Sequence, residues 1–396
     1  MNKQMAESNF IVQLKTFNFE FPLEKDLDNH SQLFVQGIKH WTSNELVKAQ
    51  EVLERLYLNG PNGELAYYTT IALLGVLLAL QDYDKIKKLE LSKALSVDPS
   101  EVGLALAFQQ FPEEEYSFLD LEKTMDFEFS NTGCPMIEVK INGVSKRLWL
   151  DTGASTTVLS RSTADECGIS DSHSSLTATA DNTQFKVGVE TAYADNLEMG
   201  NLTIENHPLV IMADEMLQLP DPKTKATITI DGIIGWSAIR NIKLDIDYKG
   251  KTVTIAKHLP TLPQASNMFA AIRPVISLRT SDQRILRFGL DTGAGFSSIA
   301  EKSLTDNDLA SVQNRTVTVA TVGGMKEIQS KEIINQTLYT HNNQELFMEK
   351  LKVLPNVDDW ATFFQLDGVL GSDAFQNSVL GIDFLNGIVK IQVAGS

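Results

Sequence analysis

The stretch PMIEVKINGVSKRLWLDTGA (135–154) returns later in the chain as PVISLRTSDQRILRFGLDTGA (274–294), so that Asp151 is answered 140 positions on by Asp291. Two further stations follow in the same order. DGIIGWSAI (231–239) matches DGVLGSDAF (367–375), and IDYKGKTVTI (246–255) matches IDFLNGIVKI (382–391). Three matched stations amount to an internal duplication. Two unrelated β-hairpin proteins that merely share turn residues would not keep Asp-Thr-Gly-Ala intact in both copies. A duplicated unit that packs about a pseudo-twofold axis brings equivalent residues together at that axis.

In each copy an apolar run ends in a carboxylate, which reads as a buried strand feeding a tight turn. A buried carboxylate is costly unless something neutralises or uses it. The duplication supplies the partner, because Asp151 and Asp291 would face each other in a partly buried cleft. Two carboxyls that close cannot both ionise easily and hold one proton between them over a broad pH range. Such a pair can add water to an amide: the ionised member takes a proton from the water while the protonated member donates to the carbonyl oxygen. It titrates as a unit, so neither aspartate is assigned base or acid. Thr152 and Thr292 are expected to hydrogen-bond across the axis and hold the two loops in register. Gly153 and Gly293 let the turns bend and bring backbone N–H groups to the carboxylates. No cofactor and no metal is called for.

Two hydrophobic-Asp-Thr-Gly-Ala segments, each followed 80 or 76 residues later by Asp-Gly-apolar-apolar-Gly, resemble the aspartic peptidases, both pepsin-like and retropepsin-like. The two-copy layout is similar to pepsin. The short lobes and the alanine after Asp-Thr-Gly are more similar to the retropepsin-like aspartyl proteases of bacteria. The resemblance covers residues 130 to 394. It implies a bilobal β fold with one aspartate from each lobe, and a flap hairpin over the cleft. By position the flap candidates are 177–189 in the first lobe and 318–329, around Gly323-Gly324, in the second. Asp231 and Asp367 look structural on this view. Pepsin-like enzymes often carry a hydroxyl residue after Asp-Thr-Gly; here Ala154 and Ala294 stand there. Losing that donor raises the lower pKa of the pair, so the optimum is expected to be less acidic than pepsin's. Gly295 stands where the first copy has Ser155. Tyr193 falls on a strand after the flap and reads as a core tyrosine.

Upstream of the duplication the pattern changes. ELVKAQEVLERLYL (45–58) has apolar residues at helical spacing, and ELAYYTTIALLGVLLAL and DYDKIKKLELSKAL continue it towards Asp98-Pro99, with Gly60, Pro61 and Gly63 breaking the run. The second half resembles a tetratricopeptide helix pair, or equally a generic helical bundle. The expected fold is therefore mainly β, a bilobal aspartic-protease-like fold preceded by an α-helical domain. Its parts are helices at 1–112, an acidic irregular linker at 113–130, a first lobe at 131–258 and a second at 259–396. Asn142-Gly143 predicts a hairpin turn between MIEVKI and VSKRLWL. The helices could be a blocking propeptide, a docking module or a support for the body. Residues 1–125 carry 11 Lys+Arg against 19 Asp+Glu, which disfavours a basic propeptide, and docking of a protein partner is the preferred expectation.

The net charge of −17 is spread along the chain and argues against nucleic acid and anionic membrane surfaces. Cys134 and Cys167 form no Cys-x-x-Cys, and the six histidines lack zinc-binding spacing. IALLGVLLAL (71–80) is too short to span a bilayer, so no membrane insertion is expected. The N-terminus has no signal-peptide core, so the chain reads as cytoplasmic, or as periplasmic or secreted if a leader has been removed. The function expected is an aspartic endopeptidase acting on extended polypeptide, active as a monomer. The alternative is a protease fold kept as a peptide-binding or scaffolding module without turnover.

Overall fold

The computed structural model describes residues 10–19, 27–91, 100–169, 174–180, 185–220, 226–261, 266–305, 308, 312–321, 324–355 and 363–393. Helices come first: α1 (Asn29–Thr42), α2 (Leu46–Leu58), α3 (Gly63–Leu80), α4 (Tyr83–Lys88) and α5 (Ser100–Phe108). Asp28 caps α1 by accepting from the Ser31 N–H, and Asp82 caps α4 in the same way from Lys85. α3 reaches back to Gly63 and at 18 residues is long and apolar enough to cross a membrane, which the shorter apolar window did not suggest. Its run from Thr69 to Leu77 is buried on every side within the protein, the pattern of a central helix in a packed layer. The residues that would complete the tetratricopeptide-like second helix, 92–98, lie outside the described residues.

The first lobe is a closed barrel of six strands: β4 (Pro135–Ile141), β5 (Val144–Leu150), β6 (Thr157–Ser160), β8 (Phe185–Met199), β9 (Leu202–Met212) and β12 (Gly232–Ile234). β4 and β5 form the expected hairpin, with Ile141 opposite Val144 and both Asn142 and Gly143 at positive φ, as a two-residue turn requires. The second lobe repeats the plan with β16 (Pro274–Arg279), β17 (Ile285–Leu290), β18 (Ser298–Ala300), β20 (Gly324–Tyr339), β21 (Glu345–Leu354) and β22 (Gly368–Leu370). Outside the barrels, β10 (Gln218–Pro220) pairs with β11 (Thr227–Thr229), and β15 (Met268–Ala270) pairs with β16. The third matched station joins the lobes. β13 (Ile242–Asp247) and β14 (Thr252–Lys257) of the first copy meet β23 (Ser378–Asp383) and β24 (Ile388–Val393) of the second in one sheet, with Asp245 opposite Gly381 across the junction.

Residues 113–130, expected as an irregular linker, are built into these sheets. β1 (Glu115–Phe118) pairs with β9, β2 (Glu122–Asp126) adds a fifth strand to the interlobe sheet, and β3 (Glu128–Phe129) pairs with β4. Their acidic, mostly exposed side chains carry no strand signal; the edges they cover supply it.

The helical layer packs on the second lobe. Phe17 stacks on Phe364 at 4.7 Å, Trp41 lies 4.9 Å from Phe364, and Phe34 and Tyr68 both pack edge-on against Phe363. Trp41 Nε1 donates to the Ala270 carbonyl at 2.7 Å.

Candidate active site

In each lobe a short strand threads between the two strands that flank an aspartate loop. β12 runs parallel to β5 and antiparallel to β6; β22 stands in the same relation to β17 and β18. The backbone of the loop is thereby tied down at its start, with the Asp151 N–H donating to Ile234 and the Asp291 N–H to Leu370. Only glycine fits where these strands cross: a Cβ on Gly232 would lie 2.6 Å from the Val158 carbonyl oxygen, and one on Gly368 would collide with that of Ser298. Asp231 and Asp367 stand at this crossing, away from the pair. Asp367 accepts from the Arg287 N–H and the Ser303 hydroxyl, a structural arrangement.

The structure brings Asp151 and Asp291 together, close enough for each carboxyl to influence the other's ionisation. On Asp151, Oδ1 accepts from the N–H of Gly153 at 2.7 Å and of Ala154 at 3.2 Å. On Asp291, Oδ1 accepts from Gly293 and Ala294, each at 2.9 Å. Each glycine lies flat against the opposite carboxyl: a Cβ on Gly153 would overlap Asp291, and one on Gly293 would overlap Asp151. Thr152 and Thr292 cross the axis. Thr152 Oγ1 donates to the Leu290 carbonyl at 2.7 Å and accepts from the Thr292 N–H at 3.1 Å; Thr292 Oγ1 donates to the Leu150 carbonyl at 2.6 Å and accepts from the Thr152 N–H at 3.0 Å. Both threonines are fully buried. All six residues expected at the site from the duplication are therefore in one cluster.

Burial pushes the Asp151 carboxyl above its ordinary range, while the Asp291 carboxyl and the two N–H groups pull the other way. The floor beneath the pair is closed to bulk solvent. Cys134 is fully buried with Sγ 3.7 Å from the Leu150 carbonyl, and burial pushes its thiol well above the usual value, with the charge of both aspartates adding to the effect. Tyr248 is raised for the same reasons. Both cysteines are free thiols. A carboxyl pair this close over such a floor can hold one proton between its members and exchange it with a polar group above.

Sequence reasoning did not reach the groups that brace the loops from behind. Ser372 Oγ donates to the Thr292 carbonyl at 2.6 Å, and Ser297 Oγ donates to Asp373 at 2.6 Å while accepting from the Gly371 N–H. In the first lobe Thr157 Oγ1 takes the place of Ser297, receiving the Gly235 N–H and bonding to His207 Nε2 at 2.7 Å. His207 is fully buried and its other nitrogen meets Glu114 at 2.7 Å, which makes it a core histidine. Part of the signal was present in the aligned second station, where Gly371 is followed directly by Ser372 and Asp373.

The flap candidates lie on hairpins. β7 (Ser174–Ala180) pairs with β8, and β19 (Gln313–Thr321) pairs with β20. Their tips, 181–184 and 322–323, lie outside the described residues. Tyr193 sits on β8 beyond the hairpin tip, 5.4 Å from Phe111. Among the described residues no cluster of three or more His, Cys, Asp or Glu could hold a metal.

A family model described as aspartyl protease matches residues 137–238, from β4 through the first aspartate loop to the Gly235-Trp236-Ser237 turn. A comparison with curated proteins finds no match. With two six-stranded barrel lobes, the match fits an aspartic-protease-like fold, mainly β and bilobal, behind a helical region.

Proposed function

We propose that the protein is an aspartic endopeptidase, with Asp151 and Asp291 as its catalytic pair. The observation that carries this reading is the meeting of the two carboxyls across the pseudo-twofold axis, each against the glycine of the opposite loop and with equivalent backbone donors on both sides. Water held between the carboxyls loses a proton to the ionised member and attacks the scissile carbonyl. The protonated member donates to the carbonyl oxygen, and the tetrahedral intermediate collapses with proton return to the leaving amine. The substrate is an extended polypeptide, with its backbone pinned by hydrogen bonds to the β7–β8 hairpin. Because one chain carries both aspartates, a monomer suffices. The use of the helices' aromatic faces on the second lobe supports a role for them in stabilising the body.

The test is digestion of an unfolded model protein from acid to neutral pH by the wild type and by Asp151→Asn. Cleavage by the wild type and a loss of at least about 1000-fold in the variant are expected, since removing one member of a unit disables the whole. Equal cleavage by both would reject the pair. If neither cleaves, a transition-state mimic such as pepstatin decides: a working pair binds it far more tightly than a plain peptide, and a silent binding module does not.

A further inference from the structure

We propose that a small cavity behind the Asp151 loop is a binding site for a monovalent anion of carboxylate size. The cavity lies where the helical layer meets the first lobe, between the end of α3, α5 and the loop residues Ser155 and Thr156, and has a volume of about 40 Å³. Three of the side chains in its wall hold buried polar atoms with no hydrogen-bond partner among the described residues: Arg240 Nε, Trp236 Nε1 and Thr156 Oγ1. These side chains are 6%, 2% and 8% exposed. Buried polar groups in folded proteins are almost always paired, so three such side chains in one cavity wall mark it as a polar site that can take a small ligand.

The chemistry of that ligand follows from the donors. Arg240 Nε and Trp236 Nε1 can only donate, and Thr156 can do so. Arg240 also brings a charge. Its guanidinium makes no ion pair among the described residues; Nη1 donates to the Leu78 carbonyl over a long 3.4 Å, and the group lies 5.5 Å from the centre of the Phe384 ring. Burial pulls its pKa below the ordinary value, yet a guanidinium remains charged. The carboxylate whose charge reaches it, Glu114, is already engaged with His207. A buried cation among unpartnered donors calls for an anion. Size and charge narrow the class. The volume corresponds to about three water-sized positions, enough for a carboxylate group or a halide. Glu101, which also lines the cavity, adds a negative charge and disfavours a dianion more strongly than a monoanion.

The occupant would touch the loop that carries Asp151. Ser155 and Thr156 follow Ala154 directly, and the Ala154 carbonyl accepts from the Trp236 N–H at 2.7 Å. An anion there would bridge the helical layer, the turn at 235–240 and the aspartate loop. Its source is either a free anion or the terminal carboxylate of a polypeptide.

The experiment is thermal melting of the full chain in sodium acetate against acetamide, with ionic strength held constant by the sodium salt of a bulky sulfonate buffer, because acetamide has the size of acetate without its charge. A saturable rise in melting temperature with acetate is expected, abolished in Arg240→Met and weakened several-fold in Thr156→Val. The same rise with acetamide, or an undiminished rise in both variants, would overturn the site. Should Arg240→Met not fold, crystals of the wild type soaked in bromide decide: an anomalous peak beside Arg240 supports the proposal, and a cavity holding only water rejects it. Displacement of acetate by a free-acid tetrapeptide, and not by its amide, would identify a chain terminus as the occupant; failure of both, with the acetate effect intact, identifies a free anion.

Discussion

At the position after Asp-Thr-Gly each loop carries alanine, and the consequence is chemical. The inner oxygen of each carboxylate receives backbone donors from Gly153 and Ala154, or Gly293 and Ala294, with no hydroxyl at Ala154 or Ala294 to add another. A donor to the ionised form lowers a pKa, and its absence leaves burial as the leading influence on Asp151, which is raised. The pair therefore keeps its proton to a less acidic pH than it would with a hydroxyl in place. Ala154→Ser restores such a donor. It should move the acidic limb of the kcat/KM profile to lower pH by roughly half a unit, because the ionised form required for attack becomes easier to reach. A profile whose acidic limb stays in place, with activity retained, would show that the hydroxyl does not reach the pair. This much of the site was legible in the sequence, since the duplication named both aspartates and their neighbours. The orphaned donors of Thr156, Trp236 and Arg240 were not, because a cavity arises from how separate elements meet and leaves no local pattern.

Among the elements, the threading strands β12 and β22 do most to place the aspartates. Each is three residues long, too short to announce itself by alternation, and each was visible only as an Asp-Gly-apolar-apolar-Gly station. Their glycines answer to close backbone approach, as Gly368 against Ser298 and Phe288 shows. Gly368→Ala must push β22 away from β18 and should cost about 1–3 kcal/mol, as overpacking of a close contact does. Chemical denaturation measures it, with Gly188→Ala as the control, since a Cβ there meets nothing within 4 Å. Equal midpoints for the two variants would show that β22 can yield. The strands between 115 and 129 illustrate the opposite case. Their residues are acidic and exposed, and they become strands because β9, β14 and β4 offer edges to them. No reading of the segment alone contains those edges.

Over the whole molecule, the helices and the two lobes share one apolar core. Phe10, Phe34 and Trp41 of the helical layer belong to the same buried cluster as Phe269, Phe364 and Leu290 of the second lobe, and Leu290 is the residue before Asp291. On the first-lobe side, Leu104 and Phe108 of α5 cluster with Val189 on β8, with partly buried Leu176 on its partner β7 packed against them. A helical region that were only an appended docking module would not be knitted into the core on both sides. Its loss should therefore be felt by the entire chain. Trp41 is the sharpest place to test this, being fully buried, packed against Phe364 and bonded to the Ala270 carbonyl. Trp41→Ala removes a large buried ring and should cost about 3–5 kcal/mol. If the core is continuous, denaturation of the variant followed by circular dichroism and by the remaining tryptophan fluorescence, which includes Trp149 and Trp236 of the first lobe, shows a single midpoint lowered for both probes. Two separated transitions, with the first-lobe tryptophans unmoved, would mean instead that the helices fold and fail on their own.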